Sequence, residues 1–265
     1  MVPLSLPRPA GVILDLDGTV CRGETLIAGA REACARLERA GHPMVFATNM
    51  VENPSRVAAN LSSWGLPVRA DQVLTASEML KGYLTRHAPG ATVFAIGEPA
   101  LNQELAAQFR LSQDPAEIDV VVASADPTFD YRKLSIAFHA LRRGARFLAT
   151  NADPTWPTPA GEIPDAGAII GALEGCTQRR LELVVGKPSA LVAEAALERL
   201  GRPANETWIV GDSLGSDILM GQRAGMTTVL ILTGVTHRED LPSASIRPDH
   251  VLEDLTGLPD LLGDA

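Results

Sequence analysis

The chain has 265 residues, of which 46% are hydrophobic and 21% charged, a composition typical of a globular protein with one large domain or two smaller ones. Its net charge is −9 and it contains no run of Lys or Arg, so neither nucleic acid nor an anionic membrane is expected as a partner. The three cysteines lack paired spacing, and the N-terminal segment lacks the pattern of a signal peptide or a membrane span. We therefore expect a cytoplasmic protein without a disulfide framework or a zinc site.

In chain order, apolar β-rich runs alternate with helical patterns, which favours βαβ units and a parallel sheet. The first part of the chain predicts strands and helices at 11–16, 28–40, 43–47, 54–64 and 77–84. The alternation then restarts with strands and helices at 91–96, 99–109, 119–123, 131–143 and 146–150.

The segment 151–165 carries four prolines and is expected to be an irregular loop, either functional or connecting. Beyond it, the pattern predicts further strands at 181–185, 207–210, 227–232 and 250–252. Helices are predicted between and after them at 189–200, 216–224 and 255–262.

Two aspartates, Asp15 and Asp17, follow the first apolar run, and Gly18 allows the chain to turn tightly behind them. Open α/β sheets place their active sites at the carboxyl ends of strands. Two close carboxylates repel each other unless a cation or a proton lies between them, and oxygen ligands at this density suit Mg²⁺. The pattern therefore predicts a magnesium site.

Three more polar features follow predicted strands: Thr48-Asn49, Lys187 within Gly-Lys-Pro, and the pair Asp212 and Asp217. Each is weak alone, but we expect all of them at the same edge of one parallel sheet as Asp15. The lysine does not belong to a Walker motif, because Leu181 stands where that motif requires glycine.

The order Asp-x-Asp-Gly-Thr, Thr-Asn, Lys and Gly-Asp-x-x-x-x-Asp resembles the four motifs of haloacid dehalogenase-type phosphatases. The long separation of Thr48 from Lys187 is similar to the C2-capped subgroup of NagD-like and p-nitrophenyl-phosphatase-like enzymes. Ala-Thr-Asn-Ala-Asp at 149–153 and Pro-Asp-Ala-Gly-Ala-Ile at 164–169 also match it. The resemblance implies an α/β fold with a Rossmann-like core at 1–84 and 181–265 and an inserted α/β C2 cap at 85–180.

The resemblance also implies roles for these residues in a Mg²⁺-dependent phosphatase acting on small phosphorylated metabolites. Asp15 is the nucleophile that forms an aspartyl phosphate, and Asp17 is the general acid and base. The implied metal ligands are Asp15, Asp17 through its backbone carbonyl, Asp212 and Asp217. The implied contacts to substrate are Gly18, Thr48, Asn49, Lys187 and, from the cap, Asn151 and Asp153.

The chain departs from the family pattern at Cys21 and Met50, where the family usually has an aromatic residue and a second Asn. Alternatives on the same fold are a carbon–halogen hydrolase, a phosphoryl-transfer mutase and a non-catalytic ligand-binding protein. Asp17 argues against the first, since a halide leaving group needs no general acid. Sugar phosphates, phosphoglycolate, nucleotides and pyridoxal phosphate stay open as substrates, and a homodimer is an expected assembly.

Overall fold

The structure is a computed structural model that describes residues 10–158 and 161–264. Its contacts divide the chain into two compact units. Unit 1 consists of Met1–Thr48, Val57–Leu74 and Ala193–Ala265, and unit 2 consists of Asn49–Arg56 and Thr75–Val192. The boundaries expected after residues 84 and 180 therefore differ from those of the structure, which also assigns the short segment after Thr48 to unit 2.

Fifteen strands are found in the described residues. In chain order they are β1 (Gly11–Leu14), β2 (Cys21–Arg22), β3 (Thr25–Leu26), β4 (Met44–Thr48), β5 (Val73–Thr75), β6 (Thr92–Ile96), β7 (Arg110–Leu111), β8 (Val120–Ala123), β9 (Arg146–Ala149), β10 (Thr155–Thr158), β11 (Gly161–Pro164), β12 (Leu183–Val184), β13 (Thr207–Gly211), β14 (Thr227–Ile231) and β15 (His250–Leu252).

The α-helices of the described residues are α1 (Ala30–Arg39), α2 (Pro54–Ser63), α3 (Ala76–His87), α4 (Pro99–Ala106), α5 (Tyr131–Arg142), α6 (Ala166–Thr177), α7 (Ala190–Leu200), α8 (Leu219–Ala224) and α9 (Leu258–Leu261). Among these described helices, none is long and apolar enough to cross a membrane. Side chains cap the N-termini of several helices. The Asp130 carboxylate accepts a hydrogen bond from the Lys133 amide at α5, and the Asp165 carboxylate accepts one from the Ala166 amide at α6.

Unit 1 is built on a six-stranded sheet with the strand order β15-β14-β13-β1-β4-β5. The pairs from β15 through to β4 are parallel, and Ile13 lies opposite Ile209 in the register of β1 and β13. All four residues of β1 are buried, as expected for a central strand covered on both faces. Its apolar core contains Val12 and Leu14 packed with residues of α1, including Leu37. The carboxyl ends of β1, β4 and β13 consequently meet at one edge.

Unit 2 is built on a five-stranded parallel sheet with the order β12-β9-β8-β6-β7. Alternate strand residues face two different apolar clusters, as the two-residue period of a strand requires. Phe94 and Phe147 pack in the cluster that contains α5 and α6. Val93 and Leu148 pack in the cluster that contains Leu80 of α3. The packing of α3 in this cluster is why the structure places it in unit 2.

Four features differ from the sequence-based expectations. The loop expected at 151–165 contains a β-hairpin, β10 with β11, and α6 follows it where no helix was predicted. A second small hairpin, β2 with β3, comes directly after the aspartate loop. The strand before Lys187, β12, pairs with β9 in the unit 2 sheet. The expectation that Lys187 follows a strand of the same sheet as Asp15 was therefore wrong.

Candidate functional site

The first functional side chains lie in the turn that follows β1. Asp15 is buried, whereas Asp17 is exposed. The turn is closed by the Gly18 amide, which donates to the Cys21 carbonyl at 2.8 Å. Gly18 has a φ of +87°, a conformation that favours glycine, and a Cβ there would lie 2.3 Å from Oδ2 of Asp212. The glycine therefore permits both the turn and the close approach of the neighbouring carboxylate.

The second group comes from the end of β13. Asp212 follows the last residue of this strand, and Asp217 lies in the π-helical turn Leu214–Ile218 that comes next. A π-helical turn rotates side chains relative to a regular α-helix and is frequent at functional sites. Each of Asp15, Asp212 and Asp217 offers a carboxylate oxygen, and these oxygens lie within 4.8 Å of one another. The tertiary structure thus brings together three of the predicted metal ligands.

Two glycines make room for these carboxylates. A Cβ on Gly211 would lie 2.1 Å from Cγ of Asp217, and a Cβ on Gly234 would lie 1.7 Å from Oδ2 of Asp212. Backbone amides also donate hydrogen bonds to these carboxylates. The Val235 amide donates to Asp212 at 2.6 Å, and the Ser213 amide donates to Asp217 at 3.2 Å. Gly234 and Val235 were not predicted, since no motif connects the loop after β14 to this site.

The three carboxylates fit a magnesium ion. Asp15, Asp212 and Asp217 are 6%, 4% and 1% exposed, so water screens their mutual repulsion poorly. Buried carboxylates this close to one another are stabilised by a cation, and Mg²⁺ prefers hard oxygen ligands. Asp17 is exposed, and the sequence-based expectation that its backbone carbonyl joins this set stays a prediction.

Cys21 lies just behind the same turn and is buried. Burial raises the pKa of its thiol, and the negative charges of Asp17 and Asp15 raise it further. The thiol therefore stays protonated at neutral pH, which excludes it as a nucleophile. Met50, the other position that departs from the family pattern, is 39% exposed.

The remaining predicted residues divide between the two units. Thr48 is the last residue of β4 in unit 1 and is buried. Asn49, the next residue in the chain, belongs to unit 2, as do Asn151, Asp153 and Lys187. Lys187 follows β12 and is 4% exposed, which is unusual for a lysine and is typical of one that interacts with anionic groups.

Within unit 2, the predicted substrate-binding side chains are bonded to one another. The Asn49 amide nitrogen donates to the Asp153 carboxylate at 3.1 Å, and the Asn151 amide nitrogen donates to the same oxygen at 3.0 Å. The Asn151 amide also donates to Asp165 at 2.8 Å. Burial raises the pKa of Asp165, and the nearby Asp153 adds to this effect. Asp165 was not predicted as a functional residue, although its position before α6 is a capping signal.

Family models match both ends of the chain. The model of the haloacid dehalogenase-like hydrolases matches residues 12–108, and a second, related hydrolase model of the same family matches residues 184–258. The sugar-phosphatase AraL of Bacillus subtilis is 40% identical over 250 residues, which cover 93% of this chain and 91% of that protein.

Solved structures with the same fold include several phosphatases. The p-nitrophenyl phosphatase from Archaeoglobus fulgidus has a TM-score of 0.89 at 34% identity, covering 96% of this chain and 100% of its own. NagD from E. coli has a TM-score of 0.82 at 29% identity, covering 93% of this chain and 97% of its own. A glycerol phosphate phosphatase from Mycobacterium tuberculosis, in complex with magnesium, has a TM-score of 0.84 at 32% identity. The match covers 94% of this chain and 76% of that chain.

Proposed function

Because the chain belongs to the haloacid dehalogenase-like hydrolases and is a phosphatase of their NagD-like subgroup, we propose that it hydrolyses small sugar phosphates in a Mg²⁺-dependent reaction. The observation that carries this proposal is the buried group Asp15, Asp212 and Asp217, whose oxygens lie within 4.8 Å of one another. Without a bound cation, burying three carboxylates together costs free energy, because each charge loses its hydration.

The roles of the residues follow from the needs of phosphoryl transfer, which are an in-line nucleophile and neutralisation of charge on the phosphate oxygens. Asp15 attacks phosphorus and forms an aspartyl phosphate. Asp17 protonates the leaving alkoxide and then deprotonates the hydrolytic water, and its exposure leaves it open to solvent for proton exchange. Asp15, Asp212 and Asp217 would hold Mg²⁺, which would offset negative charge on the phosphate.

Thr48 and Lys187 bind the phosphate oxygens in this proposal. The Thr48 hydroxyl donates a hydrogen bond, and the Lys187 ammonium supplies positive charge. A nearly buried ammonium has few water molecules around it, so its interaction with a dianionic phosphate is strong. Asp15 is thereby able to approach a phosphate that would otherwise repel it.

The choice of a sugar phosphate rests on the acidic character of one edge of unit 2. Glu98 follows β6, and Asp126, which pairs with Lys133 at 2.6 Å, follows β8. Burial and the charges of Asp126 and Asp165 raise the pKa of Glu98. Carboxylates accept hydrogen bonds from hydroxyl groups and repel an anionic leaving group. A neutral, hydroxyl-bearing leaving group is therefore favoured over the anionic leaving group of phosphoglycolate, and a relative is named a sugar-phosphatase.

A panel of phosphate monoesters with and without Mg²⁺ tests the proposal. We expect phosphate release that requires Mg²⁺, that is lost with a chelator, and that is fastest on neutral sugar phosphates. Asp15→Asn should lose more than the ~10²–10⁴-fold that general acid–base catalysis supplies, with an unchanged circular dichroism spectrum. No release from any ester would indicate the non-catalytic alternative, and isomerisation of a sugar phosphate would indicate a mutase.

A homodimer and a cytoplasmic location stay predictions from the sequence. Light scattering on the purified protein tests the first, because a dimer doubles the 28.1 kDa mass of the chain. Cell fractionation with an antibody to the protein tests the second.

A further inference from the structure

We propose that the side chains of Asn49 and Asp153 form a clamp that positions Lys187 for phosphate binding, and that neither side chain contacts the leaving group. The inference rests on the proposed function, because it assigns Lys187 to the phosphate. It replaces the expectation that Asn49 and Asp153 are themselves contacts to the substrate.

The first observation is that one amide pairs with both backbone groups of Lys187. The Lys187 N–H donates to Oδ1 of Asn49 at 2.8 Å, and Nδ2 of Asn49 donates to the Lys187 carbonyl at 3.3 Å. Asn49 follows Thr48 in the chain, and consecutive Cα atoms are ~3.8 Å apart. The side chain therefore ties the backbone of the buried lysine to the residue directly after the phosphate-binding threonine.

The second observation is that Asp153 fixes the orientation of this amide. Oδ2 of Asp153 accepts from Nδ2 of Asn49 at 3.1 Å and from Nδ2 of Asn151 at 3.0 Å. A carboxylate only accepts, so it requires the nitrogen of Asn49 on its side and leaves the oxygen for the Lys187 amide. Asn151 also donates to Asp165, the N-cap of α6, at 2.8 Å, which anchors the clamp to a helix.

The third observation is that residue 186 leaves no space for a side chain. A Cβ on Gly186 would lie 2.5 Å from Oδ1 of Asn49 and 2.3 Å from the Thr150 carbonyl oxygen. Gly186 is not among the described glycines with positive φ, so its backbone does not itself require glycine. The close approach of the Thr150 carbonyl oxygen and of the Asn49 side chain excludes a larger residue here.

These contacts matter for the reaction because phosphoryl transfer depends on placement. A displacement of ~1 Å at a positioning residue can cost about 100-fold in rate. The ammonium of Lys187 stands at the end of a long side chain, so a fixed backbone limits where it can reach. Loss of the clamp should therefore weaken phosphate binding and lower kcat together.

Exchanging the amide at position 49 with the carboxylate at position 153 tests this inference. Asn49→Asp sets a carboxylate against that of Asp153, and Asp153→Asn replaces the charged acceptor of two amides with a neutral one. In the double variant the new carboxylate at position 49 still accepts from the Lys187 N–H and also accepts from the new amide at position 153, whose oxygen accepts from Asn151. It loses only the bond to the Lys187 carbonyl, because a carboxylate does not donate. We expect Asn49→Asp to lose about 10- to 100-fold in kcat/KM, Asp153→Asn to lose less because its oxygen still accepts, and the double variant to recover to within about tenfold of the parent protein.

Two further measurements keep the test independent of turnover. Calorimetric titration with inorganic phosphate measures binding, and amide hydrogen exchange measures protection of the Lys187 N–H. Both should change in Asn49→Asp and in Asn49→Ala, which removes the clamp without adding charge, and both should return in the double variant. Asn205→Asp, an exposed Asn in unit 1, is the matched control and should leave all values unchanged.

Losses in the double variant equal to the product of the single losses would overturn the proposal, because direct substrate contacts cannot be exchanged in this way. Unchanged Lys187 exchange in Asn49→Ala would overturn it as well. If the parent protein releases no phosphate from any ester, the proposed function fails, while phosphate affinity and hydrogen exchange still decide whether the clamp exists.

Discussion

Gly234→Ala tests whether the space around Asp212 is required for metal binding. A Cβ at this position would lie 1.7 Å from Oδ2 of Asp212 and 2.3 Å from its Cγ, whereas real Cβ contacts essentially never fall under 3.0 Å. The carboxylate must therefore retreat by at least about 1.3 Å, the difference between 3.0 and 1.7 Å. Mg²⁺ requires oxygen ligands at ~2.0–2.1 Å in near-octahedral geometry, so a shift of this size removes Asp212 from coordination.

We expect the Mg²⁺ concentration for half-maximal activity to rise at least about 100-fold, the upper end of effects seen for residues that only support metal ligands. The methyl group should also cost about 1–3 kcal/mol of unfolding free energy by overpacking, and the bond from the Val235 amide to Asp212 should lengthen. The assays are a Mg²⁺ titration of phosphatase activity and urea unfolding without metal.

Gly215→Ala is the matched control for this prediction. Gly215 lies in the turn that carries Asp217, and a Cβ there would meet nothing within 4 Å. Its Mg²⁺ titration should match that of the parent protein. A folded Gly234→Ala protein with Mg²⁺ affinity within about threefold of the parent would refute the reasoning, because the carboxylate would then have another way to reach the ion.

Three further outcomes are expected. Asp217→Asn should raise the unfolding free energy without metal by about 3 kcal/mol, because charges no more than 4.8 Å apart repel at an effective dielectric constant of about 20; a decrease in the unfolding free energy measured with urea would contradict this. Asp17→Asn should slow hydrolysis of an alkyl phosphate far more than that of p-nitrophenyl phosphate, since a phenolate leaves without a proton; equal losses would exclude Asp17 as the general acid. Native protein at pH 8 should react rapidly with a thiol reagent only at exposed Cys176, because burial raises the pKa of Cys34 to about 12 and also raises the pKa of Cys21; rapid labelling of two thiols would show that a buried one opens.

The carboxylate cluster could be predicted because its residues follow strands of one parallel sheet. Asp15 comes after β1 and Asp212 after β13, and these two strands are neighbours in the structure. The carboxyl ends of neighbouring parallel strands meet at one edge, so order along the chain was enough to predict proximity. Asp217 joins them through a π-helical turn where an ordinary helix was expected, which the spacing of residues alone does not reveal.

The placement of Lys187 could not be predicted in the same way. The apolar run before it has the pattern of a buried strand, but that pattern does not state which sheet the strand joins, and β12 pairs with β9 of unit 2. The hairpin β10–β11 was missed because prolines argue against strands, although both strands of a two-stranded sheet are edges, where proline is tolerated. Helix α6 was missed because Gly167, Gly171 and Gly175 lower its intrinsic helix propensity.

By itself, the sequence determined the family and the α/β class and predicted the residues that carry the chemistry, because these depend on local patterns and on residue types at strand ends. Only the tertiary structure shows which groups Asn49 and Asp153 bond to. A side-chain amide or carboxylate has the same donors and acceptors whether it meets a substrate or another side chain. Here each of them bonds to the other, at 3.1 Å, and Asn49 bonds to the backbone of Lys187, a partner 138 residues away in the chain. Such a pairing is set by the folding of distant segments around it, and no local pattern encodes it.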